Sequence, residues 1–302
     1  MSRPSAVTVH CPAKTNLTLR VGAPLAGSGG RHALDTIYCG VGLFDSVTVE
    51  RKPAGTGFSL DLEGFHLGDL ADDHADMRQN LAVKALFAYA QETGSGTDVA
   101  IHIVKRIPVA AGLGGGSADA ADVLVGLDAM NERPLGQAGL ERLAARLGAD
   151  VPFCVAAGVR RGTGYGQLLG DDLGDDAVLV EGLLDGDLLI GAYDDGLSTA
   201  AVYARFDELS AGVDDAGVDG ADHTNDLQAP AVDLHPRSGQ AIDLALANGA
   251  AAAFISGSGP TVIAVVKNHD ALLAVVHAWE SSHAVDRIET AKSNARVIVE
   301  SA

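Results

Sequence analysis

The most constraining feature of the sequence is the glycine-rich segment 107–121, which reads IPVAAGLGGGSADAA. It follows residues 99–105, whose apolar residues predict a β-strand, and it precedes a segment with apolar residues at helical spacing. A glycine-rich turn before a helix brings several backbone N–H groups together, where the helix dipole adds about half a positive charge. The segment therefore predicts a strand–loop–helix unit whose loop binds phosphate groups.

Two familiar phosphate loops are excluded by the spacing. A Walker A loop requires Gly-Lys-Ser/Thr, and segment 107–121 contains no lysine. The glycines that begin at Gly112 do not have the G-x-G-x-x-G spacing of a dinucleotide-binding loop. Residues 131–137 also predict a turn between helices, where a dinucleotide site needs an acidic residue at a strand end. A flexible glycine linker is the alternative, although the flanking segments are periodic rather than polar.

Composition limits the class of protein. The chain of 302 residues can form two domains or one large one, and 47% hydrophobic with 4% aromatic residues predicts a mainly aliphatic core. A formal net charge of −19 disfavours nucleic acids and anionic membranes as partners. Residues 171–222 contain fifteen acidic residues and one basic residue, Arg205, which predicts a solvated surface rather than a metal site.

Cysteine usage and the apolar segments bear on the compartment. Cys11, Cys39 and Cys154 are widely spaced and form no C-x-x-C pair, which is typical of a reduced protein. Residues 1–10 show no secretion-signal layout, and the apolar region 250–266 is interrupted by SGSGP. We therefore expect a cytoplasmic protein without a membrane-spanning helix.

The order of predicted elements indicates an α+β fold rather than a doubly wound sheet. The early chain predicts mostly strands, including 41–51 and 58–62 as a candidate hairpin, and residues 153–165 predict a strand and a turn. A domain boundary is expected near residue 165, which divides the chain into 1–165 and 166–302. The remaining predictions are helices at 80–91, 136–147, 199–209, 238–248 and 270–281, and strands at 7–11, 187–192, 252–255, 262–266 and 295–299.

Three blocks in this order resemble the three motifs of the GHMP kinase superfamily. They are Pro12-Ala13-Lys14-x-Asn16-Leu17-x-Leu19, the loop 108–121 and residues 255–261 (ISGSGPT). Further segments resemble one subfamily, which phosphorylates a cytidyl diphosphate sugar alcohol of the non-mevalonate isoprenoid pathway. These segments are His32-x-Leu34-x-Thr36, Asn80-Leu81, 148–153 (GADVPF), 196–203 (GLSTAAVY) and 225–227 (NDL). The resemblance covers nearly the whole chain.

The resemblance implies the two-domain GHMP kinase fold. A nucleotide-binding N-terminal domain and a ferredoxin-like C-terminal domain would flank a deep cleft, in a monomer or weak homodimer. It further implies ATP with Mg²⁺ as cofactors, and transfer of the γ-phosphate to the 2-hydroxyl of a methylerythritol-type alcohol. The residues expected at the ATP phosphates are Pro108, Val109, Ala110, Ala111, Gly112, Leu113, Gly114, Gly115, Gly116, Ser117 and Ala118.

Ser117 has a further expected role, and two other residues are expected near the nucleotide. Ser117 is expected to open the helix as its N-cap, and alternatively to contact phosphate or Mg²⁺ as well. Asn80 and Lys105 lie near the nucleotide by resemblance, with an ordinary surface lysine as the alternative for Lys105. No histidine or cysteine spacing typical of a structural metal site is found.

Asp150 and Lys14 are the candidate catalytic pair. Asp150 follows a predicted helix and precedes Val-Pro, which we expect to resist a helix and to hold the carboxylate at the cleft floor as a general base. An ordinary loop aspartate is the alternative. Lys14 lies within an apolar strand pattern, where a lysine is costly unless paired, and it would bridge Asp150 and the reacting oxygen.

The resemblance also implies residues that contact the acceptor. Asn16 would hydrogen-bond it, and Thr199 and Gly257 lie in the segments expected at its diphosphate side. His32 would recognise the cytosine edge, with a plain loop histidine as the alternative. The family pattern is Gly-Tyr-His, whereas this chain has Arg31 at the tyrosine position, and a guanidinium can also stack on a base.

Two other functions are compatible with part of these motifs. One is a different small-alcohol kinase of the same superfamily, of the homoserine or mevalonate type, which the GADVPF block and His32 disfavour. The other is a non-catalytic binding protein with this fold, which the presence of Lys14, Asp150 and the complete loop disfavours.

Overall fold

The computed structural model describes residues 4–27, 29–64, 77–210 and 225–301. Three sheets and nine α-helices are found in these ranges, which confirms the α+β prediction. Among the described helices, none is both long and apolar enough to cross a membrane.

The first sheet leads into the predicted phosphate loop, residues 106–114 between β6 and α2. Its strand order is β13-β1-β4-β6-β5, and β5 is parallel to β6 whereas the other pairings are antiparallel. Its strands are β1 (Ala6–His10), β4 (Ser46–Arg51), β5 (Ser59–Gly64), β6 (Val99–Lys105) and β13 (Ile298–Ser301). The expected hairpin of 41–51 with 58–62 is wrong, because β6 lies between β4 and β5 and pairs with both.

The second sheet carries the residues at the other side of the site. Its order is β2-β3-β7-β8, and the first two strands are long and largely buried. Their register places Asn16 opposite Tyr38. The strands are β2 (Pro12–Pro24), β3 (His32–Phe44), β7 (Val159–Thr163) and β8 (Leu168–Gly170).

The third sheet is antiparallel with the order β10-β11-β9-β12, and three helices contact it. Trp279 is fully buried in its core and donates its indole N–H to the Ala241 carbonyl at 2.8 Å. The strands are β9 (Asp187–Ala192), β10 (Ala252–Ile255), β11 (Val262–Val266) and β12 (Arg287–Lys292).

The helices pack on these sheets around two hydrophobic clusters. Helix α2 follows the phosphate loop and lies directly on the first sheet. The side chains of Val49 and Val9 fill the space beside Gly126, so no larger residue fits at that position. The helices are α1 (Leu81–Thr93), α2 (Gly115–Met130), α3 (Gly136–Ala144), α4 (Val151–Ala156), α5 (Ala177–Leu184), α6 (Thr199–Ser210), α7 (Gln228–Leu234), α8 (Pro236–Ala247) and α9 (His269–Ser282).

The clearest secondary-structure error concerns the segment after Asp150. The expected strand and turn at 153–165 is wrong at its start, because α4 spans Val151–Ala156 before β7 begins. Pro152 does not oppose this helix, since proline is favoured in the first turn, where no N–H is needed. Helices α5 and α7 and strand β12 were not predicted, and residues 211–222 of the acidic run lie outside the described residues.

The chain crosses the expected boundary at residue 165 more than once. Strand β8 continues the second sheet by pairing with β7, and β13 returns to pair with β1 in the first sheet. The division into 1–165 and 166–302 stays a prediction.

Candidate active site

A cleft of about 1150 Å³ lies where the phosphate loop, the second sheet and α6 meet. Lys14, Asn16 and Tyr38 line it from the second sheet, and Gly257 and Ser258 line it from the turn after β10. Every predicted site residue except Asn80, Leu113 and Ala118 lies on its wall. Leu113 and Ala118 are instead fully buried in the core.

The phosphate loop ends where α2 begins at Gly115. Gly114 precedes the helix in the left-handed region (φ 72°), and no side chain caps the helix. Ser117 is therefore the third helical residue, and the expectation that it opens the helix as the N-cap is wrong. A Cβ added at Gly116 would meet no atom of the described residues within 4 Å, so in this part of the chain the first turn of α2 is open to a ligand. The exposed N–H groups and the dipole of this turn suit an anion.

Gly112 fixes this loop against the turn after β10. Its φ is +78°, and an added Cβ would meet the Ser256 carbonyl oxygen and lie 3.0 Å from Gly259 N. The Ser256 hydroxyl donates to the Gly112 carbonyl at 3.1 Å, and Lys14 N donates to the Leu113 carbonyl at 2.9 Å. The loop, β2 and the turn thus hold one another at the cleft floor.

Gly112→Ala is expected to destabilise the protein by about 2–3 kcal/mol, because alanine adds both left-handed strain and a backbone clash. Thermal and urea unfolding would measure this loss. Gly182→Ala is the matched control, since Gly182 lies within α5 and an added Cβ meets nothing within 4 Å. That control is expected to be neutral or stabilising, and equal effects of the two substitutions would contradict the proposed packing.

Lys105 is buried behind the loop, with 5% exposure, so the surface alternative for it is wrong. Its ammonium pairs with the buried carboxylates of Asp45 and Asp119. Asp45 also accepts the backbone N–H groups of Arg106 and Ile107, at 2.5 and 2.8 Å. This ion triad (Lys105, Asp45 and Asp119) therefore anchors the junction between β6 and the phosphate loop.

One lysine cannot neutralise two buried carboxylates, and Asp119 is the less well paired of the two. Among the described residues, its Oδ1 has no hydrogen-bond partner, whereas Asp45 accepts bonds on both oxygens. Burial raises the pKa of Asp119 to about 7 despite the attraction of Lys105. For Lys105, burial lowers the pKa, but Asp119 and Asp45 outweigh it and the net pKa is raised.

Because the pKa of this carboxyl is raised in the folded protein, the free energy of unfolding falls as pH rises. Between the usual value of 3.8 and about 7, the folded protein holds a proton on Asp119 that the unfolded chain has lost. The free energy of unfolding of the wild type is therefore expected to fall relative to Asp119→Asn over this window, by up to about 1.4 kcal/mol per pH unit. Urea unfolding at pH 5, 6, 7 and 8 measures the difference. A difference that is constant with pH would contradict the assignment of the proton to Asp119.

Asn80 has a local role at the start of α1. Its Oδ1 accepts the Ala82 N–H at 2.9 Å and caps the helix, and the next residue, Leu81, lines the cleft. The structure places Asn80 beside the cleft wall rather than on it.

The candidate catalytic pair is brought together from positions 136 residues apart. Lys14 Nζ lies 3.6 Å from Asp150 Oδ2 and donates to Asn16 Oδ1 at 3.0 Å. The lysine stem passes between two turns, because an added Cβ at Gly114 or Gly257 would lie 2.8 Å from its Cγ or 2.9 Å from its Nζ. Its buried ammonium therefore faces the cleft beside the open end of α2.

Asp150 immediately precedes α4 with helical dihedral angles, and its side chain does not cap that helix. One carboxylate oxygen faces Lys14, and the other accepts the Tyr38 hydroxyl at 3.0 Å. The Asp150 side chain is 32% exposed, so a bound alcohol can reach it. This arrangement can accept a proton from a hydroxyl and stabilise negative charge beside it.

The far end of the cleft presents planar side chains. The Arg31 guanidinium lies 4.6 Å from the centre of the Tyr165 ring, and His32 packs on Tyr203 with ring centres 5.3 Å apart. His32 Nδ1 contacts the Gly22 carbonyl at 2.8 Å, which requires a proton on Nδ1 because a carbonyl only accepts. Flat groups of this kind suit a nucleobase.

Between the two ends lie small polar groups. Asn16 donates to Thr36 Oγ1 at 2.7 Å, and the Thr199 and Ser258 hydroxyls are 3.0 Å apart. Buried Asn225 shapes the turn that carries Gly257 by donating to the carbonyls of Ile255 and Gly257 at 3.0 and 2.7 Å.

Sequence reasoning missed several cleft residues. Tyr203 ends the quoted segment GLSTAAVY and Tyr165 lies in a glycine-rich turn, so both had a sequence signal that was available. Tyr38 and Asp207 had none, because their contacts with Asp150 and His32 join distant parts of the chain.

Two family models match the chain. The GHMP kinases N terminal domain matches residues 80–158, and the GHMP kinases C terminal domain matches residues 202–285. A curated relative from Bifidobacterium adolescentis, "4-diphosphocytidyl-2-C-methyl-D-erythritol kinase", is 52% identical over 98% of this chain and 94% of its own length.

Solved structures agree with this. A crystal structure of 4-(cytidine 5'-diphospho)-2C-methyl-D-erythritol kinase superimposes with a TM-score of 0.70 at 27% identity, covering 96% of this chain and all of that one. Homoserine kinase from Cytophaga hutchinsonii has the same fold, with a TM-score of 0.68 at 17% identity over 100% and 96% of the two chains.

The fold and the cleft define an ATP-dependent kinase of small molecules. The chain belongs to the GHMP kinase family. The alternative of a non-catalytic binding protein is therefore wrong.

Proposed function

We propose that this protein transfers the γ-phosphate of ATP to the 2-hydroxyl of 4-diphosphocytidyl-2-C-methyl-D-erythritol, in non-mevalonate isoprenoid precursor biosynthesis. The observation that supports this proposal most directly is the Lys14–Asp150 pair, which faces the open first turn of α2 within a single cleft. The relatives that match nearly the full length of the chain are named for this activity. The cleft volume of about 1150 Å³ also exceeds the usual range for one small ligand, as two substrates require.

The chemistry assigned to the pair is proton transfer with charge stabilisation. Asp150 accepts the proton of the acceptor hydroxyl, whose oxygen forms a bond to the γ-phosphorus while the bond to the bridging oxygen breaks and ADP leaves. Lys14 offsets the negative charge that develops on the attacking oxygen. Asn16 holds the ammonium in place through its Oδ1.

The nucleotide phosphates are assigned to the loop. Residues 108–112 and 114–117 line the cleft, and the uncapped N–H groups of α2 supply the donors. Mg²⁺ would accompany the ATP phosphates and neutralise their charge, with Ser117 in the first turn of α2 as the side chain that offers an oxygen ligand. We place the cytosine at the far end, beside Arg31 and His32, with Thr199 and Gly257 toward the diphosphate.

A panel of acceptors tests this function. ADP release is measured with ATP, Mg²⁺ and, separately, the cytidyl diphosphate alcohol, homoserine and mevalonate, for the wild type and for Arg31→Tyr. We expect turnover with the cytidyl compound, and retention of that specificity in the variant, because either planar group can stack on the base. Turnover with homoserine or mevalonate but not with the cytidyl compound would reject the assigned acceptor.

A further inference from the structure

The carboxylate of Asp150 has two different partners, and only one of them, Lys14, has a role in the proposed chemistry. Oδ2 faces the ammonium of Lys14 at 3.6 Å, whereas Oδ1 accepts the hydroxyl of Tyr38 at 3.0 Å. A carboxylate that accepts a hydrogen bond from a fixed donor rotates less freely about its own axis. The Tyr38 bond therefore fixes the orientation of the carboxylate, with the second oxygen toward Lys14.

The Tyr38 ring is held firmly on all sides. It is 1% exposed and stacks on Phe153 of α4 with ring centres 4.9 Å apart and an interplanar angle of 22°. Phe153 and Asp150 are three residues apart, so the same short segment supplies both the surface that holds the ring and the carboxylate that the hydroxyl contacts.

Two glycines leave the space that the ring occupies. A Cβ added at Gly162 would lie 2.5 Å from Tyr38 Cε2, and one added at Gly166 would lie 2.5 Å from the hydroxyl oxygen. A phenylalanine would keep the ring contacts and vacate only the space of the hydroxyl oxygen, so the packing of the ring does not require the hydroxyl. The hydroxyl is the group that bonds to Asp150.

The direction of the hydrogen bond is fixed. Burial, and then the negative charge of Asp150, raise the pKa of the Tyr38 phenol well above its usual value. The phenol therefore stays protonated and donates, and the carboxylate accepts.

We infer that Tyr38 is a positioning residue for phosphoryl transfer: its hydroxyl holds Asp150 Oδ1, so that Oδ2 faces Lys14 and the acceptor hydroxyl. This inference rests on the proposed function, in which Asp150 is the base. Tyr38 takes no proton itself. It restricts the carboxylate to the orientation in which proton acceptance and the Lys14 charge act on the same oxygen of the substrate.

The chain provides a matched control. Tyr89 is fully buried and donates its hydroxyl to Asp128 Oδ1 at 3.2 Å, in the packing between α1 and α2 away from the cleft. Tyr89→Phe therefore removes the same kind of Tyr–Asp hydrogen bond as Tyr38→Phe, at a position with no part in the reaction.

The test measures kcat, both KM values and unfolding for Tyr38→Phe, Tyr89→Phe, Asp150→Ala and the double variant Tyr38→Phe/Asp150→Ala. We expect Tyr38→Phe to lower kcat about 10-fold with both KM values within about twofold, and Tyr89→Phe to leave kcat unchanged. In the Asp150→Ala background, Tyr38→Phe should have no further effect on kcat, because the group that it positions is gone.

The outcomes separate the two claims. If Asp150→Ala retains wild-type kcat, the base assignment in the proposed function fails, and the inference fails with it. If Asp150→Ala loses activity but Tyr38→Phe does not, or if Tyr38→Phe lowers kcat equally in both backgrounds, only the inference is overturned. An equal loss of kcat in Tyr89→Phe would likewise overturn it, because the effect would then come from general destabilisation.

Discussion

Asp150→Ala is expected to lower kcat by about 10²- to 10⁴-fold, which is the usual contribution of a general base. The substitution removes both the proton acceptor and the partner of Lys14. ATP binding should stay near normal, because Asp150 is not among the residues assigned to the phosphates, 108–112 and 114–117, and its side chain does not cap α4. Steady-state kinetics and the Kd for ATP measure the two effects separately.

The control for this prediction is Asp233→Ala. Asp233 is about half exposed and pairs with Arg205 on the surface, where a salt bridge contributes about 1 kcal/mol or less. Its removal should change neither kcat nor the Kd for ATP. A wild-type kcat in Asp150→Ala would remove Asp150 from the mechanism, and a large loss of ATP affinity would show that its role lies in nucleotide binding instead.

Lys105→Met is expected to destabilise the protein by about 3–5 kcal/mol at pH 8, because it leaves the carboxylates of Asp45 and Asp119 buried without a cation. Methionine approximates the lysine stem, so little of the loss comes from packing. The deficit should shrink as pH falls toward 5, because protonation of Asp119, whose pKa is already raised to about 7, removes one buried charge. Urea unfolding at the two pH values measures both quantities.

Two further variants isolate the cause. Lys84→Met makes the same substitution at an exposed position of α1 and should change stability by about 0.5 kcal/mol or less. Adding Asp119→Asn to Lys105→Met should restore part of the lost stability, because it removes one of the two unpaired charges. If the double variant loses as much stability as the two single variants lose together, the charges of the ion triad do not cause the destabilisation in Lys105→Met.

The local parts of this molecule followed from the sequence. The alternation in residues 99–105 predicted β6, whose burial alternates in the same way, and the glycines after it predicted a loop leading into α2. Lys14 in an apolar strand predicted a charged partner, and the structure places Asp150 beside it. Each of these signals is contained within about fifteen residues, where periodicity and residue cost are informative.

The errors arose where long-range pairing decides the structure. Nothing local distinguishes a β4–β5 hairpin from the observed pairing of both strands with β6, because the strands have the same pattern in either case. The Val-Pro pair after Asp150 is compatible with both a helix stop and a helix start, and in the structure it starts α4.

The ion triad and the Tyr38–Asp150 contact were inaccessible for a related reason. Asp45 and Lys105 are 60 residues apart, and Tyr38 and Asp150 are 112 residues apart. Such pairs are fixed only when the sheets close around them, so a single sequence carries no signal for them.

The most direct measurement is the identity of the reaction product. Purified protein is incubated with ATP, Mg²⁺ and 4-diphosphocytidyl-2-C-methyl-D-erythritol, and the mixture is followed by ³¹P NMR. We expect one ADP for each acceptor consumed and a new phosphomonoester resonance on the 2-oxygen, with the cytidyl diphosphate intact. Formation of ADP without a phosphorylated acceptor, or phosphate on a different hydroxyl, would contradict the proposed reaction.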